Sequence, residues 1–313
     1  MFSIASNENK KTLIEYIDDY IILRKSKNTP RGTLKEFTSL KNRLISFEAY
    51  SKKKIYFENI NMTFSDNLYI WMSNLLVKQN DVYVHKYQDG TIEKTFTVLR
   101  TVLNHFIERK DELKIELSDK FQNKNFKKGT KSINDPHPIS RPEFDILRKH
   151  KFDNASLEMT KQRFLFQCST SMRYSDMFLL TKENIIDNCI VYYPLKTVHK
   201  TDNEVVVPLN PISEEILLSV GYNMNNLNIS NQKYNASLKE MFIELNKKYN
   251  NQFDTYTTHD GRDTFITYAI ESGIDIPTLL LMVGQNSYDV MKRYFKSTPQ
   301  KKIDAMNKIL EFK

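Results

Sequence analysis

Apolar residues at Ile92, Phe96, Leu99, Leu103 and Phe106 recur at intervals of 4, 3, 4 and 3. An α-helix, with 3.6 residues per turn, gathers such a series onto one face. The outward side of the same stretch carries Lys94, Thr97, Arg100 and Thr101. A helix divided in this way needs other helices to cover its apolar face. The preceding residues supply them. Leu13, Tyr16, Ile17, Tyr20 and Ile21 mark one helix, Phe37, Leu40, Leu44 and Phe47 a second, and Trp71, Leu75 and Leu76 a third after a cap at Ser65. Four helices with short connections predict a small bundle that ends near Lys114.

Residues 118–140 are rich in Lys, Asn, Ser and Pro, and Pro136 and Pro138 oppose helix. A polar, irregular stretch of this size reads as an interdomain linker, the other reading being a surface loop of a single domain. The predicted division is a first domain over 1–117, a linker over 118–138 and a second domain over 139–313. The second domain is again largely helical, interrupted by two strands at 190–193 and 204–208 with a turn around 198–203. Helices are expected at 214–219, 237–249, 263–272 and 277–283, and Ser287 is placed to cap a short helix carrying Tyr294. Ile303, Met306, Ile309 and Leu310 form a last apolar stripe. The fold class is therefore mainly α: a four-helix domain, then a mixed, mostly helical domain with a small antiparallel β-sheet.

Among the 313 residues, Lys and Arg number 46 and Asp and Glu 38, a formal charge of +8. An excess of cations suits a partner whose phosphates release counterions on binding, although it also suits a solvated surface. Its distribution is more telling, since Lys120, Lys124, Lys127, Lys128 and Lys131 stand together without an intervening acid, but charge alone leaves the two readings even. No apolar run approaches the ~20 residues that span a bilayer, and no secretory signal opens the chain. Two cysteines build neither a disulfide framework nor a zinc site. A cytoplasmic protein is expected. Phosphate-binding Gly loops, H-E-x-x-H and G-x-S-x-G are all missing, and the six His lack paired ligand spacing. Hence neither metal nor cofactor is expected.

What remains is an ordered set in the second domain. It comprises Ser171-Met172-Arg173-Tyr174-Ser175-Asp176, Lys196-Thr197 at the end of the first strand, His259-Asp260-Gly261-Arg262, Gly284-Gln285, and Tyr294. Singly, each has an ordinary explanation: Arg173 and Asp176 could be a helix ion pair, and Tyr294 is one of 17 tyrosines. Together, in this order, with 32 residues from Arg262 to Tyr294 and 9 from Gln285 to Tyr294, the set resembles the tyrosine recombinases, the phage integrase family. The resemblance covers the whole second domain, and the first domain looks like the family's helical, SAM-like core-binding domain.

The resemblance implies DNA strand breakage and rejoining through a 3′-phosphotyrosine, and the residue types suit that chemistry. Two guanidiniums, Arg173 and Arg262, can hold the non-bridging oxygens of a pentavalent phosphorus with charge-assisted hydrogen bonds. Tyr294 is the implied nucleophile and His259 its proton acceptor. Lys196 is the implied general acid for the departing 5′ oxygen, with Lys200 as the alternative. Gln285 stands where the family usually carries His or Trp. Its amide can still donate to a phosphate oxygen. The family's Gly before the first Arg is displaced by Ser171-Met172, and Asp176 supports Arg173 or nearby backbone.

The implied partner is double-stranded DNA, clasped between the two domains, with four protomers assembled on it, a monomer in solution, accessory DNA-bending proteins as compatible additions, and no membrane. Lys94, Thr97 and Arg100 are candidates for the groove-facing side of the fourth helix, and Lys127 and Lys128 for phosphate contacts. The last apolar stripe is expected to dock on a neighbouring protomer or on its own domain. Two other functions fit parts of the pattern: a type IB topoisomerase, and a non-catalytic DNA-binding regulator.

Overall fold

The 4, 3, 4, 3 stripe forms the helix it predicts. The computed structural model describes residues 10–113, 115, 126–130, 135–195, 204–250, 253–295 and 306. The chain divides into two units, Met1–Ile133 and Asn134–Lys313.

In the first unit, α1 (Leu13–Ser26), α2 (Arg31–Ser51), α3 (Met62–Asn74) and α4 (Asp89–Ile107) share one core, followed by the single turn α5 (Lys110–Leu113). Thr12 opens α1 with a capping box, its backbone N–H donating to Glu15 at 2.6 Å. Leu40, Leu44, Leu68, Leu99 and Leu103 are fully buried; each such side chain stabilises the fold by about 1.5–3 kcal/mol. Tyr16 meets Phe57 and Phe106 edge to face, with ring centroids 4.9 and 5.0 Å away.

Three details differ from the sequence reading. The cap of α3 is Asn61, whose side chain accepts the Phe64 N–H at 3.0 Å. Ser65 lies inside the first turn and is buried, because the apolar series already starts at Phe64. Leu76 is not helical. It begins β1 (Leu76–Gln79), which pairs antiparallel with β2 (Val82–His85). Asn80 and Asp81 make the turn with φ of 45° and 64°, the left-handed pair that a two-residue hairpin requires. Finally, part of the stretch assigned to the linker lies against α4. Phe126 is fully buried beside Phe96, and the Thr130 N–H donates to Asp89 at 2.9 Å. Gly129 has φ +77°, and a Cβ there would meet the Glu93 nitrogen at 2.6 Å.

The second unit is built around α7 (Ala155–Thr170), which follows the capping-box helix α6 (Arg141–Lys149). Every residue of α7 from Phe164 onward is buried. After the short α8 (Tyr174–Met177) come β3 (Ile185–Ile186), β4 (Cys189–Tyr192) and β5 (Val205–Pro208), an antiparallel sheet in that order. Ile190 faces Val207 and Tyr192 faces Val205 in register, and Ile190, Val205 and Val207 face the core. The helices α9 (Pro211–Ser219), α10 (Asn231–Lys248) and α11 (Thr258–Glu271) pack on α7. Then α12 (Ile276–Val283), whose cap Asp275 precedes Pro277, packs on β5 and α11, and α13 (Tyr288–Met291) leads into the 3-10 turn Lys292–Tyr294. Of the last apolar stripe only Met306 is described, and it is exposed. Its docking lies outside the described residues.

Candidate active site

Arg173 owes its position to the way α7 ends. The C-cap Ser171 has φ +61°, a left-handed conformation that normally selects glycine, and its N–H donates to the Gln167 carbonyl at 2.9 Å. The chain reverses there, so that Arg173 becomes the N-cap of α8. The Gln167 side chain holds the intervening Met172 carbonyl at 3.2 Å and accepts the Tyr234 hydroxyl at 3.0 Å. A non-glycine residue in the left-handed region costs about 1 kcal/mol, and Ser171 adds a buried hydroxyl with no hydrogen-bond partner among the described residues.

Arg262 lies on α11, started by a capping box in which the Thr257 N–H donates to Asp260 at 2.6 Å. Gly261 lets α11 close on α7: a Cβ at that position would stand 2.9 Å from Gln167 Cβ. Arg262 is consequently buried, and it donates from Nη1 to the Ser171 carbonyl at 2.8 Å and from Nη2 to the Val283 carbonyl at 2.7 Å. Arg173 donates from Nη2 to the next carbonyl, that of Gly284, at 3.2 Å. The two cations thus grip consecutive peptide units at the end of α12, where Gly284 takes φ +59°. Burial, and then the neighbouring Arg173 charge, push the Arg262 guanidinium down to about 10, which leaves it charged at neutral pH. Arg173 Nη1 has no hydrogen-bond partner among the described residues, the carboxylate of Asp176 being 3.8 Å away. Two adjoining cations, one with a free donor, are an arrangement whose field favours an anion.

Asp176 is buried and accepts the Leu195 N–H at 3.2 Å, besides facing Arg173. It therefore fixes the chain one residue before Lys196. Lys196 itself, and Lys200, lie outside the described residues. Gln285 follows the two gripped carbonyls, is half-buried, and donates its backbone N–H to Leu280 at 3.0 Å. His259 precedes Arg262 by three positions on α11 and is exposed. No hydrogen bond of its ring ties it to the two arginines or to Tyr294 among the described residues.

Tyr294 sits in a small apolar cluster with Ile266, Leu279, Val283 and Met291. Its hydroxyl donates to the buried Asp263 carboxylate and accepts from Arg293 Nη2 at 2.6 Å, while the same Nη2 reaches Asp263 at 2.9 Å. Burial, with the hydrogen bond and charge of Asp263, raises the phenol well above its ordinary range, against the opposing pull of Arg293. The residue after Arg262 thus binds the side chain of Tyr294. The sequence reading passed over Asp263, Arg293 and Gln167. The available signal for Asp263 was its place directly after Arg262; Gln167 carried none.

The DNA-binding candidates are all in the first unit. Lys94 is exposed and pairs with Glu36 at 3.1 Å, Thr97 donates to Glu93 at 2.9 Å, and Arg100 is half-buried beside Asn104. Lys128 pairs with Asp66 at 2.6 Å, and Lys127 is exposed. Among the described residues no group of His, Cys, Asp and Glu is arranged to hold a metal ion, and no helix is long and apolar enough to cross a membrane.

Residues 12–122 match the family model of the phage integrase SAM-like domain. Among solved structures, the Tn1549 transposon integrase in complex with transposon right end DNA superposes with a TM-score of 0.72 at 13% identity, covering 96% of this chain and 100% of the other. A lambda integrase tetramer bound to a Holliday junction gives 0.62 at 14% identity over 91% and 83%. The XerH site-specific recombinase bound to its palindromic difH substrate gives 0.62 at 15% over 94% and 84%. No curated protein sequence matches the chain. Residues 12–122 thus carry a phage integrase SAM-like domain, and the chain as a whole has the fold of these solved structures.

Proposed function

We propose that this protein is a site-specific DNA recombinase of a mobile element, cleaving and rejoining duplex DNA through Tyr294. The observation that carries the reading is the pair Arg173 and Arg262 on consecutive carbonyls, with a donor of Arg173 unused. In the proposed step the Tyr294 oxygen attacks phosphorus, the Tyr–O–P bond forms, and the P–O5′ bond breaks. The phenol proton passes to His259, and Lys196 delivers a proton to the leaving 5′ oxygen, with Lys200 as the alternative donor. The arginines stabilise the charge gathered on the non-bridging oxygens, the largest contribution in reactions of this type. The phosphotyrosine conserves the bond energy, so a partner strand's 5′ hydroxyl can reverse the step without ATP.

Each active site cuts one strand, so exchange between two duplexes calls for four protomers, the assembly in which lambda integrase was seen on its junction. Lys94, Thr97, Arg100, Lys127 and Lys128 are the proposed DNA contacts of the first unit, with phosphate contacts setting position rather than sequence preference.

A suicide half-site, nicked so that the cleaved end diffuses away, tests the reading. Half-sites drawn from the DNA flanking the gene should trap a covalent adduct with the wild type and none with Tyr294→Phe. Absence of the adduct with wild type would support a DNA-binding regulator. Relaxation of supercoils without joining of separate sites would support a topoisomerase.

A further inference from the structure

We propose that Asp263, together with Arg293, is a positioning residue that clasps the Tyr294 hydroxyl and has to release it before cleavage; the inference rests on Tyr294 being the nucleophile. Both ends of the clasp are buried, Tyr294 being 7% exposed and Asp263 3%. A phenol has a single hydrogen, and here it is given to Asp263. The phenol oxygen also receives a hydrogen bond from the Arg293 cation at 2.6 Å. A nucleophile needs a lone pair directed at phosphorus, and a lone pair held by a cation is a poorer one. Arg173 and Arg262, the two groups suited to hold the phosphate, direct their described bonds at backbone carbonyls instead. With the clasp shut, the hydroxyl and the anion site are separately engaged.

The clasp can also open without unfolding a helix or stranding a charge. Tyr294 rides on the three-residue 3-10 turn Lys292–Tyr294, closed by a Phe295 N–H to Lys292 bond at 3.1 Å. Single 3-10 turns have poorer hydrogen-bond geometry than α-helix and are among the first segments to move. When the hydroxyl leaves, Asp263 keeps Arg293 at 2.9 Å, so the departure strands no buried charge. Asp263 thereby exchanges one partner and retains the other.

Asp263→Asn tests the clasp, since it keeps the shape and removes the charge. At saturating suicide half-site, the variant should form the covalent adduct about tenfold faster than wild type, the ratio between a charge-assisted and a neutral hydrogen bond. The half-site concentration for half-maximal rate should stay the same. A purely structural role for Asp263 would instead slow the adduct and lower the melting temperature. In ¹³C-tyrosine spectra without DNA, the ring signal that is lost in Tyr294→Phe should shift in Asp263→Asn. Should that variant fail to fold, Arg293→Gln opens the same ring from the other side and should also accelerate the adduct. Wild-type adduct with an unchanged or slower variant overturns the clasp and leaves the recombinase reading standing. Adduct from neither protein overturns the recombinase reading, and the clasp with it.

Discussion

Arg262 and Arg173 donate to neighbouring carbonyls, those of Val283 and Gly284, at 2.7 and 3.2 Å. Like charges are thus held side by side by backbone rather than by carboxylates, and the acid paired with Arg173, Asp176, stands 3.8 Å away. The arrangement needs the planar fork of arginine, because Arg262 satisfies Ser171 and Val283 through two nitrogens of one group.

Arg262→Lys should therefore fail twice. A lysine ammonium keeps the charge but not the fork, which leaves a buried carbonyl unpaired at a cost of about 1–3 kcal/mol. Urea unfolding should show that loss. Adduct formation on half-sites should fall by about two orders of magnitude or more, as when a fixed oxyanion donor is removed.

Tyr294→Phe should change the alkaline limb of stability. The folded phenol is held above its ordinary value, so the folded state keeps a proton that the unfolded state loses as pH rises past about 10. Its contribution is fully present below that pH and declines above it, by up to about 1.4 kcal/mol per pH unit. Arg262 is shifted down and works in the opposite sense over the same range. Subtracting the variant's urea-unfolding curve from that of the wild type between pH 9 and 11 isolates the tyrosine; equal slopes would contradict the burial of its hydroxyl.

Ser171→Gly should stabilise the protein by about 1 kcal/mol, because glycine accepts a positive φ without strain. The change also removes the unpartnered buried hydroxyl. Thermal melts should move upward, while adduct formation persists because the carbonyl that holds Arg262 is backbone.

Gly129→Ala should destabilise the first unit by about 1–3 kcal/mol, the cost of a strained left-handed residue. The added carbon would also meet the Glu93 nitrogen at 2.6 Å. Hydrogen exchange at the N-terminus of α4 should then speed up, whereas amides of α7 should not respond.

Much of this was legible in the sequence for definite reasons. The bundle helices announce themselves because each buries one face, and Ile92 through Phe106 keep the helical period without interruption. The hairpin at 76–85 did not, since both of its faces are largely exposed and its Val and Tyr residues follow directly on the apolar residues of α3. Its turn, Asn80-Asp81, was the readable clue. Within the candidate site, Arg173 and Arg262 were legible through their order and distance along the chain, and the structure brings their guanidiniums to adjacent peptides. Asp263 and Gln167 were not, because an acid and an amide inside helices look like surface residues until tertiary packing buries them.

The close approach of α11 to α7 links two positions that are 94 residues apart. Gln167 supports the loop ahead of Arg173, and Gly261, touching the same glutamine, stands immediately before Arg262. A mutant library that varies either site alone will return mostly inactive clones. Productive variants should emerge as matched pairs, alanine at 261 accompanied by glycine at 167, because the crowding atom is the β-carbon of residue 167 itself, so that the two codons drift together.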